Sequence, residues 1–225
     1  MSGIGTLSER SLHAALKWYY EPLEEFHEVP VGKFIADIKR GNQITEIQTQ
    51  SFDKLRRKLA VFLEEFEVTV VCPVAHVKYL EWINETTGET IRQRKSPKLG
   101  SCHEVLRELY HIRQFLTHPN LKLRIILLEV TEQRTENRKN RKGYSRTDTF
   151  PRAVSGEMVI GGVSDYAKLI PVTLDEEFTT TEFAKAARIS AKNAWFAVNV
   201  LNHLGVITLA GKSGRSNVYT ARQKI

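Results

Sequence analysis

The chain has 225 residues, of which 41% are hydrophobic and 26% charged, and a formal net charge of +7. That length and balance fit a globular protein with one large core or two small ones. They exclude a membrane-spanning helix, because no run approaches the ~18 apolar residues a span requires. A disulfide scaffold is excluded too, because Cys72 and Cys102 are the only cysteines. The opening MSGIGTLSER has no basic region followed by an apolar stretch, so no secretory signal is expected. The two thiols are expected to be reduced, and the expected compartment is the cytoplasm.

In chain order, Ser8–Tyr20 predicts a helix. Ser8 can cap it, Glu9 sits in the first turn where the dipole favours an anion, and Leu12, Ala15, Leu16 and Tyr19 form an apolar stripe. Pro22 limits its extension. Two β-prone runs, Phe34–Arg40 and Gln43–Gln48, then flank Gly41-Asn42, a dipeptide suited to a two-residue hairpin loop. With that loop Arg40 faces Gln43, Lys39 faces Ile44 and Asp37 faces Glu46. Alternation places Asp37, Glu46 and Gln48 on one face. Cross-strand Cβ atoms lie about 4.5–5.5 Å apart, so two carboxylates there repel unless a cation sits between them. Their oxygens suit magnesium or manganese. The rival reading is a surface hairpin with a chance acidic pair.

Ser51 is placed to cap a helix over Phe52–Phe66, with Leu55, Leu59, Phe62 and Phe66 inward and Lys54 and Lys58 four apart on a neighbouring stripe. Val68–Pro73 reads as a central strand buried on both faces. His76, Lys78 and Tyr79 are expected on a loop or short helix, and Leu80–Ile83 with Glu89–Gln93 as a hairpin. The run Arg92–Lys98, with Arg94, Lys95 and Lys98, is either a phosphate-gripping patch or a solvated connection. His103–Leu116 reads as a helix. Cys102, His103, His111 and His118 match no zinc spacing, since there is no second Cys pair. Leu121–Val130 is a further apolar strand, closing a first unit of residues 1–130.

Thr131–Arg152 carries 7 basic and 3 acidic residues, the chain's main positive excess. It lacks an apolar stripe, so a mobile loop or helix extension is expected, within a basic connector of residues 131–173. Tyr144 among those cations suits stacking on a base. Residues 174–225 form a distinct unit. Thr179–Glu182 looks like a cap for a helix over Glu182–Ala187, and a turn at Arg188–Ser190 leads to a second helix, Ala191–Leu204, stopped by Gly205. Val206–Leu209 and Asn217–Thr220 complete a hairpin.

Asp37, the short hairpin, Glu46-Ile47-Gln48 and the basic amphipathic helix Ser51–Phe66 together resemble the PD-(D/E)XK nuclease superfamily. The version is the one in which Gln replaces the usual Lys, as in competence-associated nuclease-like proteins. Two positions depart from the common pattern: no Pro precedes Asp37, and Gln48 cannot supply the charge of a Lys. The resemblance implies a restriction-endonuclease-like α/β fold, with a mixed sheet flanked by helices. It implies Asp37 and Glu46 as ligands of Mg²⁺ or Mn²⁺, joined by Glu9 from the first helix. Gln48 would orient water or phosphate, and Lys58, or else Lys54, would replace the missing charge. For Glu9 a first-turn charge, and for the lysines a solvated face, are the bland readings.

The C-terminal order of helix, turn, helix and two-stranded wing resembles a winged helix-turn-helix over Leu174–Ala221. That implies a second helix in the major groove, beginning with Ser190, Lys192, Asn193 and Trp195, and a wing whose Lys212, Ser213, Arg215 and Asn217 meet phosphates. Winged helices also dock proteins and dimerise, which keeps a homodimer open. The implied function is a metal-dependent deoxyribonuclease with DNA as partner. The alternative is a DNA-binding or protein-interaction protein built on an inactive nuclease fold.

Overall fold

Two apolar strands anchor the sheet. β4 (Glu67–Ile83) and β6 (Leu121–Glu136) run parallel, in register from Val68↔Leu121 to Trp82↔Arg134. Their first halves, around Val70, Val71, Leu123 and Ile125, are buried, as central strands covered on both faces must be. The structure is a computed structural model that describes residues 11–137 and 139–221.

β3 (Gln43–Ile47) lies parallel to β4, and β2 (Phe34–Arg40) and β1 (His27–Val31) extend the sheet antiparallel beyond it. β7 (Tyr144–Ile160) runs antiparallel to β6, giving the order β1-β2-β3-β4-β6-β7. β5 (Thr90–Lys95) pairs with the far half of β4, beyond the point where β3 ends. The expected hairpin forms: Arg40↔Gln43, Lys39↔Ile44 and Ile38↔Thr45 pair, and Gly41 takes a φ of 56° that its missing Cβ permits.

Helix α1 (Ser11–Tyr20) covers one sheet face, where Leu16 packs with Ile38, Ile47, Val71, Ile126 and Leu128. The other face is covered by α2 (Arg56–Glu65), through Leu59, Phe62 and Leu63, and by α3 (Val105–Leu109). Each such fully buried side chain contributes roughly 1.5–3 kcal/mol. The architecture is therefore α/β, a mixed sheet flanked by helices.

That second core runs on without a break into the C-terminal helices α4 (Thr180–Ala186) and α5 (Ala191–His203). Thr179 and Glu182 form a reciprocal capping box, and Gly205 at φ 68° ends α5. β8 (Glu177–Thr179), β9 (Ile207–Ser213) and β10 (Ser216–Ala221) make a three-stranded antiparallel sheet in the order β8-β10-β9. Phe196 meets Tyr110 at 5.0 Å between ring centroids, and buried Tyr166 donates to the Leu116 carbonyl at 3.2 Å.

Several local expectations are corrected. Ser51 does not cap α2: it takes a left-handed φ of 60°, a turn through Phe52–Leu55 follows, and the helix starts at Arg56. Residues 74–79 are strand, because β6 offers β4 a partner along its whole length. Most of Thr131–Arg152 is neither loop nor helix extension: Thr131–Glu136 is the far half of β6 and Tyr144–Arg152 the first half of β7, each satisfying its backbone through the other. His103–Leu116 is broken, with α3 followed by a 3₁₀ stretch whose Ile112 has a non-helical φ of −117°. Ser8 and Glu9 lie outside the described residues.

Candidate functional site

The ladder between β2 and β3 stops at Ile38↔Thr45, one residue short of the acid pair. Beyond that point β2 continues along β1, with Ala36 opposite Val29, and the two strands part. Backbone groups freed in a fork need partners, and here the acids provide them. Ile47 N–H donates to Asp37 Oδ2 at 2.7 Å, and Asp37 N–H donates to Glu46 Oε1 at 3.3 Å. The two carboxylates thus plug the fork from opposite strands.

A basic side chain from each flanking layer reaches them. Lys58, on the first turn of α2, donates to Glu46 Oε2 at 2.8 Å. From α1, His13 Nε2 lies 3.2 Å from Asp37 Oδ2. The Glu46 side chain is 2% exposed, that of Asp37 13% and that of Lys58 26%, so the site opens to solvent through Asp37 and Lys58. Burial first, and the Asp37 charge second, push the Glu46 carboxyl up to about 7. Burial also works against the Asp37 charge, but the His13 contact, the Ile47 N–H and the Lys58 charge outweigh it and hold Asp37 below the usual carboxylate range.

The donor set suits a hard divalent ion in kind, since two carboxylates face one gap. In position, the Lys58 ammonium already stands at Glu46 as counter-charge, so a divalent ion enters only where that contact yields. Among the described residues no group of three or more His, Cys, Asp or Glu side chains is poised to hold a metal. Glu9, expected as a third ligand, lies outside the described residues.

Gln48 does not join the acids. Its amide donates to the carbonyls of Gln50 and, at 3.4 Å, Ser51, shaping the loop after β3. That loop forms one wall of a cleft of about 410 Å³, whose other walls include Lys78, Arg107, Glu108, Glu132, Arg146 and Asn193. The cleft adjoins the fork through Gln48 without containing Asp37, Glu46 or Lys58.

The remaining sequence candidates scatter. Lys54 is exposed on the turn before α2. Arg94 and Lys95 lie on edge strand β5 and lean over different rings, Trp82 at 5.7 Å and Tyr79 at 5.9 Å. Lys98 pairs with Glu104 at 3.3 Å. Lys192 points outward at the start of α5 while Asn193 faces the cleft. Lys212 and Arg215 are exposed on the β9–β10 hairpin. Trp195 and Phe196 of α5 lie against Tyr110, at 5.7 and 5.0 Å, while Lys192 is exposed and Trp195 half-exposed. His13, on α1, has Asp37 of the site as a partner. Glu132 and Arg146 were missed as cleft residues. Both lie within the stretch read as a basic connector, where nothing local marks them as cleft residues.

The fold and site define an α/β protein with a cation-paired acid couple set in a strand fork. The chain belongs to the family described as Domain of unknown function (DUF8091), whose model matches residues 10–161. It is 30% identical over 220 residues to an uncharacterized protein of Treponema pallidum (strain Nichols), covering 96% of this chain and 86% of that one. No solved structure matches. The matched range extends from α1 to the end of β7, so it takes in the fork and the whole β6–β7 hairpin.

Proposed function

We propose that the chain is a metal-dependent phosphodiester hydrolase acting on DNA, built on a restriction-endonuclease-like fold. The observation that carries this reading is the meeting of Asp37, Glu46 and Lys58 where β2 and β3 diverge. The order of helix, three-strand meander, helix and parallel strand also agrees with the PD-(D/E)XK resemblance.

Asp37 and Glu46 are the residues that would hold Mg²⁺ or Mn²⁺, ions that need only one or two carboxylates beside water and phosphate. When bound, such an ion polarises a phosphate and lowers the pKa of its water. The protein's own part is positioning and charge. His13 and the Ile47 N–H fix the Asp37 carboxylate. Lys58, released from Glu46, brings to a phosphate the positive charge that Gln48 lacks.

A second reading has its own observation. Both Glu46 oxygens are satisfied within the chain, and the side chain is almost fully buried. In that reading Lys58 is a permanent counter-ion, and the protein is a non-catalytic DNA-binding or protein-interaction scaffold. The C-terminal unit has the element order of a winged helix. Because α5 is packed on Tyr110, we assign any DNA contact there to Lys212 and Arg215 of the hairpin.

Labelled DNA incubated with Mg²⁺, Mn²⁺ or EDTA tests the choice. The catalytic reading expects metal-dependent nicking that is lost in Asp37→Ala and Glu46→Ala, with circular dichroism unchanged. Nicking that survives both substitutions, or none in wild type, removes it.

A further inference from the structure

We infer that the arm formed by the far halves of β4 and β6 with β5 and β7 is the main DNA-backbone surface, gripping phosphates through guanidinium groups held against Trp82 and Tyr144. The inference rests on the DNA reading above and adds the surface that holds the substrate.

Two basic stretches far apart in sequence become one surface through strand register. Trp82 sits opposite Arg92 on β5 and opposite Arg134 on β6. Leu80 sits opposite Arg94 and Glu132, and Arg134 opposite Arg146. Directly paired residues, and residues two apart on a strand, share a face. Lys78, Arg92, Arg94, Arg134 and Arg146 therefore lie together on one face. Glu132 and Glu136 are acids of that face, and Asp148 beside Arg146 accepts from Ser11 of α1. Glu132 is buried and already accepts Arg134 Nε at 2.7 Å while pairing with Arg146 at 3.1 Å.

The aromatic rings serve the cations. The guanidinium carbons of Arg92 and Arg134 lie 4.0 and 5.3 Å from the Trp82 ring centre, and that of Arg134 lies 3.9 Å from Tyr144. Trp82 is only 6% exposed, so its ring is not offered to a base. It orders the guanidiniums that cover it. Their planar donor forks match phosphate oxygens, and prior ordering reduces the entropy lost on binding. Arg92 and Arg94, both exposed, are two residues apart and so about 6.8 Å apart along the strand. With Trp82 covered and Tyr144 half-buried beneath Arg134, the described residues of this face offer no fully exposed apolar anchor of the kind a protein partner uses.

The face is also continuous with the fork and with the arm's tip. At its root Lys78 and Arg146 line the cleft that begins at Gln48, two residues after Glu46. At the other end, the turn between β6 and β7 exposes Lys139, Arg141 and Lys142.

The test measures fluorescence anisotropy of a labelled DNA duplex with the full chain in EDTA, from about 50 to 200 mM KCl. Wild type is compared with Arg92→Gln/Arg94→Gln and with Lys212→Gln/Arg215→Gln. The expected result is a loss of about tenfold in affinity for the arm variant, with the log–log salt slope shallower by about two. The hairpin variant should change less. Equal affinity and slope in wild type and arm variant, no duplex binding by wild type, or tighter competition by an RNA hairpin than by duplex DNA each overturn the inference. Metal-dependent nicking, run in parallel, separates the two ideas. Nicking lost in Glu46→Ala beside an unaffected arm variant overturns the arm alone. Salt-sensitive binding lost in the arm variant beside a wild type that never nicks upholds the arm and overturns catalysis.

Discussion

Lys58 Nζ lies 2.8 Å from Glu46 Oε2, so positive charge enters the acid pair from α2 rather than from the strand position held by Gln48. Replacing Lys58→Met keeps the stem and removes the ammonium. Asp37 and Glu46 then face each other without that counter-charge, a loss of about 3 kcal/mol at pH 8. Millimolar Mn²⁺ should raise the melting temperature of this variant more than that of wild type, and leave Glu46→Ala unmoved. An equal shift in all three proteins contradicts the idea that a divalent ion and Lys58 compete for Glu46. If wild type nicks DNA, this variant should do so about 10²-fold more slowly.

The raised Glu46 pKa makes a pH-dependent prediction for the metal-free protein. Its folded value of about 7 exceeds the ordinary 4.5, so across that window the folded chain binds a proton that the unfolded chain has released. Stability therefore falls as pH rises from about 4.5 to 7. Glu46→Gln removes this loss. Relative to wild type it should gain on the order of 3 kcal/mol between pH 4.5 and pH 8 in EDTA. Asp37 acts in the opposite sense: its lowered pKa contributes stability present above 3.8 and lost in more acid solution. Calorimetry of both proteins at pH 5 and 8 decides the matter, and a gap that fails to widen with pH refutes it.

Gly100 is a steric requirement. Its N–H donates to the His76 carbonyl at 2.8 Å, and a Cβ added there would stand 2.3 Å from the Ala75 carbonyl oxygen. That atom is backbone beside the irregularity in the β4–β6 register, so it cannot swing aside. Gly100→Ala should cost about 2–3 kcal/mol by urea titration. Gly162→Ala, with nothing within 4 Å of the new methyl, is the control and should stay within about 0.5 kcal/mol.

Thr179→Ala removes the hydroxyl that accepts from the Glu182 N–H and donates to its carboxylate, keeps the backbone N–H bond to Glu182, and should cost about 1 kcal/mol. Since the core passes uninterrupted from the sheet to α5, the loss should move the whole unfolding transition. A separate early transition of the C-terminal unit, seen as non-coincident Trp fluorescence and circular dichroism, would contradict that.

What was legible in the sequence was local. A two-residue loop at Gly41-Asn42 dictates which residues face each other, so the approach of Asp37 and Glu46 could be read from spacing alone. The capping box at Thr179 and the glycine stop at Gly205 are likewise written within one turn. The inner halves of β4 and β6 announce themselves by unbroken apolar runs.

Tertiary structure decided the rest. The far half of β6 and the first half of β7 carry charged residues with no apolar stripe, and their stability comes from pairing with each other and, for β6, with β4, a strand distant in sequence that no local pattern reveals. Lys58 and His13 could be assigned to a face of a helix but not to a carboxylate, because the way α1 and α2 lie on the sheet selects their partners. The same holds for α5: its apolar stripe required a partner, and only packing made that partner the segment around Tyr110. Periodicity tells a segment that it must be covered. The assembled chain determines by what.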